Sequence, residues 1–177
     1  QKTASEISAC LVGAEMCIRD RTTADSSATT KATTENTTEA PKKTYSCTIS
    51  IGCSTIFDNL ELLRPEKKDY VPDDGVILGT VTATFEEGDT VFEVLKSVCR
   101  DYGIQLEYSW TPMYGSYYIE GIHNLYEFDC GDGSGWMYSV NGWFPNYGCS
   151  SYELKQGDVI KWLYTCDLGA DVGSEMH

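Results

Sequence analysis

Over residues 45–53 hydrophobic and polar positions alternate: Cys47, Ile49, Ile51 and Cys53 fall on one face, Ser and Thr residues on the other. That two-residue period predicts a half-buried strand. The period then changes. Ile56, Leu60 and Leu63 stand four and three apart, which predicts a short helix that Ser54 can cap and Pro65 stops. Pro72-Asp73-Asp74-Gly75 has turn chemistry, and the β-branched run over residues 76–85 predicts a second strand. Val91, Val94, Leu95 and Val98 form an apolar stripe at helical spacing, with Asp89 or Thr90 placed to cap it and Gly103 placed to end it. Cys99 lies one turn beyond Leu95 on the same side, as either an inert buried thiol or a disulfide partner.

Beyond the helix the pattern is β again. Strands are expected over residues 104–110, 117–122, 135–144 and 159–166, separated by turns rich in Gly, Asn, Pro and Asp. Asn141-Gly142 suits a tight two-residue hairpin turn, because both residues tolerate positive φ. Lys155-Gln156-Gly157-Asp158 makes a further turn before the last strand. One main helix packed across a mixed sheet of about five strands, with hairpins at both ends, is the β-grasp arrangement of the α+β class.

Composition divides the chain. Residues 21–43 are mainly Thr, Ala, Ser, Glu and Lys, with no aromatic or large aliphatic side chain to bury, and are expected to form a disordered spacer. Asn36-Thr37-Thr38 within it is formally a glycosylation sequon, relevant only in a eukaryotic secretory host. All four Trp, twelve Tyr and five Phe of the 177 residues fall beyond it, which sets a domain over residues 44–170 and a short tail over 171–177. Residues 1–20 lack the apolar segment of a secretory signal. The run from Ser8 to Arg21 instead resembles the translation of a DNA-sequencing adapter, and Val172-Gly173-Ser174-Glu175-Met176 nearly repeats Val12-Gly13-Ala14-Glu15-Met16. On that reading Cys10 and Cys17 carry no structural meaning, and a native signal or anchor is not visible.

A net charge of −14 repels a phosphate backbone and an anionic membrane surface, which sets nucleic acid aside as a partner. No apolar run is long enough for a transmembrane helix. Six cysteines inside the domain, Cys47, Cys53, Cys99, Cys130, Cys149 and Cys166, point to an oxidising, extracellular or cell-surface setting and a disulfide-stapled fold. Their connectivity is open from sequence. Cys130 with Cys149 is the preferred pair, because each lies beside the same expected hairpin. A zinc site is disfavoured, since there is no C-x-x-C pair and the histidines are His123 and His177.

Four segments in order carry a family pattern: Glu87-Gly88-Asp89-Thr90-Val91-Phe92-Glu93-Val94-Leu95; Tyr117-Tyr118-Ile119-Glu120-Gly121-Ile122; Gly135-Trp136-Met137-Tyr138-Ser139-Val140-Asn141-Gly142; and the stretch from Tyr152 through Gln156-Gly157-Asp158 to Trp162. Together they resemble the C-terminal domain of the transcobalamin and intrinsic factor family and its bacterial surface relatives. The resemblance implies a ligand-binding β-grasp variant that covers one face of a cobalamin. It also implies a missing partner, because in transcobalamin a separate helical domain holds the rest of that ligand.

Two aromatic groups are candidates for ligand contact. Trp136, Tyr138, Trp143, Phe144 and Tyr147 surround the expected hairpin, and Tyr114, Tyr117 and Tyr118 belong to a Tyr-rich cluster flanking Pro112 and Gly115. Trp136, Tyr138 and Val140 share a strand face and so either fill the core or face a ligand; Trp143, Phe144 and Tyr147 are harder to bury together. Aromatic and apolar walls suit a flat macrocycle such as a corrin, and Tyr-rich surfaces also suit protein partners. No cofactor is required. Asp129-Cys130-Gly131-Asp132-Gly133-Ser134-Gly135 lacks the alternating oxygen ligands and closing Glu of a calcium loop, and is expected to be a glycine turn. His123 is a lone loop histidine. The sequence offers no Ser/His/Asp order, phosphate loop or metal cluster, and Cys99 with His123 forms no thiol-nucleophile motif, so no catalytic residue is assigned. The function expected is a non-catalytic extracellular module for a corrinoid or similar flat cofactor. The alternative is a protein- or glycan-binding adhesion module on a flexible stalk.

Overall fold

The computed structural model describes residues 43–174. The adapter-like segment, the spacer up to residue 42 with its sequon, and the last three residues lie outside the described residues. Strand β1 (Thr44–Gly52) buries Cys47, Ile49 and Ile51. It pairs antiparallel with β2 (Val76–Glu86) on one side and parallel with the final strand on the other. The expected short helix is instead a 3-10 turn over Ser54–Asn59, with a second over Pro65–Tyr70. Ile56 and Leu63 are buried while Leu60 remains exposed, so this stretch has too narrow an apolar face to hold an α-helix against the core.

Helix α1 (Val91–Tyr102) has the limits that its apolar stripe sets. Of the two expected caps, Thr90 is the one used, in a capping box in which Glu93 accepts from the Thr90 backbone N–H at 3.0 Å. Asp89 closes the preceding turn by accepting from the Glu86 N–H at 2.8 Å. Gly103 ends the helix at φ +66°, a left-handed conformation that glycine adopts without a Cβ clash. Val91, Phe92, Val94, Leu95, Val98 and Cys99 are buried in one hydrophobic cluster with the inward residues of the sheet.

Five further strands complete the fold: β3 (Leu106–Thr111), β4 (Ser116–Ile122), β5 (Leu125–Tyr126), β6 (Gly135–Val140) and β7 (Val159–Thr165). They divide between two sheets. The larger is mixed, in the order β2-β1-β7-β6, with the parallel β1–β7 pair at its centre; the smaller is antiparallel, in the order β3-β4-β5. The sheet expected over residues 104–166 is therefore split. The strand expected to continue to Phe144 stops at Val140, where Asn141 (φ +55°) and Gly142 (φ +82°) form the tight turn and Val140 and Trp143 exchange both backbone hydrogen bonds. From there the chain leaves the sheet, and β6 pairs with β7 instead. Among the described residues no helix is long and apolar enough to cross a membrane.

The fold contains no disulfide between the described cysteines: all six carry free thiols, and all are buried. Cys130 and Cys149, the pair preferred from sequence, have different neighbours. The Cys130 sulfur faces the Asn59 carbonyl at 3.3 Å, the Cys149 sulfur the Tyr117 carbonyl at 3.6 Å. Nearness to one hairpin in sequence did not translate into contact, because Cys130 precedes β6 and Cys149 lies in the excursion between β6 and β7.

Candidate functional site

An open cleft of about 250 Å³ lies where the small sheet meets the edge of the large one. Its floor comes from β6 and β7. Trp136 and Tyr138 are nearly buried there, each opposite an aromatic of β7: Trp136 against Tyr164, with ring centroids 5.2 Å apart, and Tyr138 against Trp162 at 5.5 Å. The Trp136 indole donates to the Leu125 carbonyl at 2.8 Å, which fixes the ring against β5. One wall is the start of β4 with the β3–β4 turn, including Tyr114, Ser116, Tyr117 and Tyr118. The other is the loop of Pro145, Asn146, Tyr147, Gly148 and Cys149.

Local chemistry holds these walls together. The Tyr138 hydroxyl donates to the Tyr147 carbonyl at 2.9 Å, tying floor to loop. The Ser150 hydroxyl accepts from the Tyr117 N–H at 3.0 Å and lies 2.7 Å from the Ser116 hydroxyl, which docks the loop on β4. Gly148 makes that docking possible, since a Cβ there would lie 1.9 Å from the Ser116 Oγ. Tyr117 stacks on Phe92 of α1 at 4.3 Å, so the helix buttresses this wall from behind.

Six of the eight aromatics singled out in the sequence line this cleft: Trp136, Tyr138, Tyr147, Tyr114, Tyr117 and Tyr118. Trp143 and Phe144 do not. Trp143 packs behind the loop instead, with its ring 6.1 Å from Tyr147 and 6.4 Å from Tyr152, and Tyr152 stacks on Tyr147. Trp162 was missed, because its alternation with Ile160 and Tyr164 marks it as core. The signal lay in the pairing, since a strand opposite Tyr138 must bring its own residue to the same face. The Trp162 indole N–H is buried with no hydrogen-bond partner among the described residues, and Trp162 lines the cleft.

The cleft is uncharged in its lining. Burial pushes the Tyr138 phenol above its ordinary range; burial and the Glu127 carboxylate, which accepts from the Tyr118 hydroxyl at 2.6 Å, push Tyr118 up. Burial likewise raises the Cys149 thiol to about 12, so it is held as a thiol and not as a nucleophilic thiolate. His123 stands in the β4–β5 turn at φ +55°, next to Asn124 at φ +62°. Asp129 has its oxygens engaged: Oδ2 lies 3.0 Å from the Lys67 Nζ and accepts from the Tyr126 N–H, and Oδ1 lies 3.3 Å from Arg64. Among the described residues no group of three or more His, Cys, Asp or Glu is placed to hold a metal ion.

Two solved structures are similar to this fold. Haptocorrin in complex with Cbi is 15% identical with a TM-score of 0.48; the match covers 72% of this chain, which spans 26% of the length of that one. A candidate metal-binding protein from Ruminococcus gnavus ATCC 29149 is 14% identical with a TM-score of 0.41, the match covering 68% of this chain and 96% of that one. No curated protein matches the sequence. The segment that supplies α1, strands β3 to β7 and every residue lining the cleft, residues 88–165, matches the family described as a domain of unknown function (DUF4430).

Proposed function

We propose that the domain is a non-catalytic, extracellular binding module whose cleft takes one face of a flat, largely apolar ligand, with a corrinoid as the candidate. The observation that carries this reading is the convergence of six aromatic side chains from separate segments on one open cleft. Apolar walls with a few placed polar groups are the usual composition of cofactor sites. The four-segment resemblance to the transcobalamin C-terminal domain supplies the ligand class.

Size refines the proposal. A cleft of about 250 Å³ is below the roughly 300–1,000 Å³ of pockets that enclose a drug-sized ligand. The module therefore covers an edge or face and leaves the remainder of a corrinoid to solvent or to a second domain, which limits affinity. Equilibrium titration of the full chain with cobinamide and with cobalamin, following corrin absorbance and Trp fluorescence, tests it. Saturable binding at micromolar to sub-millimolar concentration supports the reading; no spectral change up to millimolar ligand overturns it.

A second reading rests on a separate observation. Trp110, Met113 and Tyr114 are exposed around the β3–β4 turn, with Met113 85% and Tyr114 73% accessible. Such a tip suits a protein or glycan partner. Loss of partner binding on changing Met113→Ser with corrinoid titration unaltered would favour it.

A further inference from the structure

The cleft wall that Tyr118 helps to form carries a charge at its rim. Glu127 follows β5 directly, and its backbone N–H donates to the Glu120 carbonyl at 3.1 Å, which continues the β4–β5 pairing and fixes where the side chain starts. Its carboxylate accepts from the Tyr118 hydroxyl at 2.6 Å. Gly135, the first residue of β6, is its other neighbour: a Cβ there would lie 3.8 Å from the Glu127 Cβ and 4.0 Å from the Tyr118 hydroxyl oxygen. Glu127 therefore stands where the small sheet meets the strand that brings Trp136 and Tyr138 to the floor. Among the described residues no Lys, Arg or His forms an ion pair with it.

From this placement we propose that Glu127 is the specificity-determining residue of the cleft, which takes the cationic member of a pair of flat ligands and rejects the anionic one. The proposal rests on the reading of the cleft as a site for a flat ligand, and adds the charge that such a ligand carries. The lining contains no Lys, Arg, His, Asp or Glu, so the surfaces that meet a ring are neutral and discrimination falls to the rim. An anionic substituent brought there loses water, finds no cation to pair with it and meets the Glu127 carboxylate. A cationic substituent gives up the same water and gains that carboxylate as its partner. The net charge of −14 favours cations at long range in the same sense, but it acts over the whole surface and does not distinguish one site from another. A single carboxylate beside an uncharged lining does.

The test titrates the full chain with two flat rings of matched shape and opposite fixed charge, tetrakis(N-methylpyridinium)porphyrin and tetrakis(sulfonatophenyl)porphyrin, following porphyrin absorbance and Trp fluorescence. Physiological ionic strength is used, at which charges more than about 8 Å away are largely screened. The wild type is expected to bind the cationic ring at least about tenfold more tightly than the anionic one. Glu127→Gln keeps an acceptor for the Tyr118 hydroxyl and should lower that ratio severalfold. Glu87→Gln removes the same charge just beyond β2, at the opposite edge of the large sheet, and should leave the ratio unchanged. Equal binding of the two rings by the wild type, or tighter binding of the anionic one, overturns the charge selectivity and leaves the cleft reading standing; binding of neither ring overturns both. An unchanged ratio in Glu127→Gln, or an equal fall in Glu87→Gln, overturns the role of Glu127.

Discussion

The Tyr138 hydroxyl and the Tyr147 backbone carbonyl, 2.9 Å apart, join the floor of the cleft to its loop wall. Tyr138 sits on a strand that the sheet holds in register, whereas Tyr147 lies in the excursion between β6 and β7, so this bond transmits the order of the sheet to the loop. Changing Tyr138→Phe keeps the ring against Trp162 and removes the bond. The expected loss is about 1 kcal/mol of stability in urea unfolding, with several-fold weaker ligand binding.

Gly148 is required by space and not by backbone conformation, since its φ of −68° is open to any residue. A Cβ would meet both the Oγ and the Cβ of Ser116, at 1.9 and 2.2 Å. Gly148→Ala is expected to cost about 1–3 kcal/mol by overpacking, visible as a lower urea midpoint. Adding Ser116→Gly should recover part of that loss; adding Ser116→Ala should not, because the Cβ remains.

Asp129 is 1% exposed and answers two cations and a backbone N–H. Removing one partner of a buried ion pair typically costs about 3–5 kcal/mol; because Lys67 is 17% and Arg64 55% exposed, Asp129→Ala is expected near the lower end of that range. Because its oxygens are engaged within the protein, millimolar calcium should leave the thermal midpoint of the wild type unchanged.

Under reducing conditions stability should fall at alkaline pH. Burial holds the Cys99 thiol protonated up to about 12 in the folded protein, against an ordinary value of 9.0 that applies to the unfolded chain. The folded-state value is raised, so the contribution is complete below pH 9 and is lost as pH climbs from 9 toward 12, where only the unfolded chain gains a charge. Urea midpoints measured between pH 7.5 and 10.5 with reductant present should decline above pH 9, and less steeply in Cys99→Ala.

Much of this architecture was legible along the chain for local reasons. The stripe Val91, Val94, Leu95 and Val98 sets α1, and the alternation Cys47, Ile49, Ile51 sets the inward face of β1, because each element's period is fixed by its own backbone geometry. Partition into two sheets was not legible. Which strand lies beside which depends on long-range pairing, and the excursion after Asn141-Gly142 gave β7 to β6 as its partner. The same cause explains the site. Aromatic enrichment marked Trp136, Tyr138 and Tyr147, yet only the β6–β7 register brings in Trp162, and only the path of the loop turns Trp143 away from the cleft toward Tyr152.

The most direct test of the binding reading is a side-by-side cobinamide titration of the full-length wild type, Tyr147→Ala and Trp143→Ala, with far-UV circular dichroism confirming that each is folded. If the cleft holds the ligand, Tyr147→Ala weakens binding at least about tenfold, a change of about 1.4 kcal/mol, and Trp143→Ala weakens it much less. Wild-type binding that Tyr147→Ala leaves intact would contradict the assignment of this cleft, and no wild-type binding at all would contradict the ligand class.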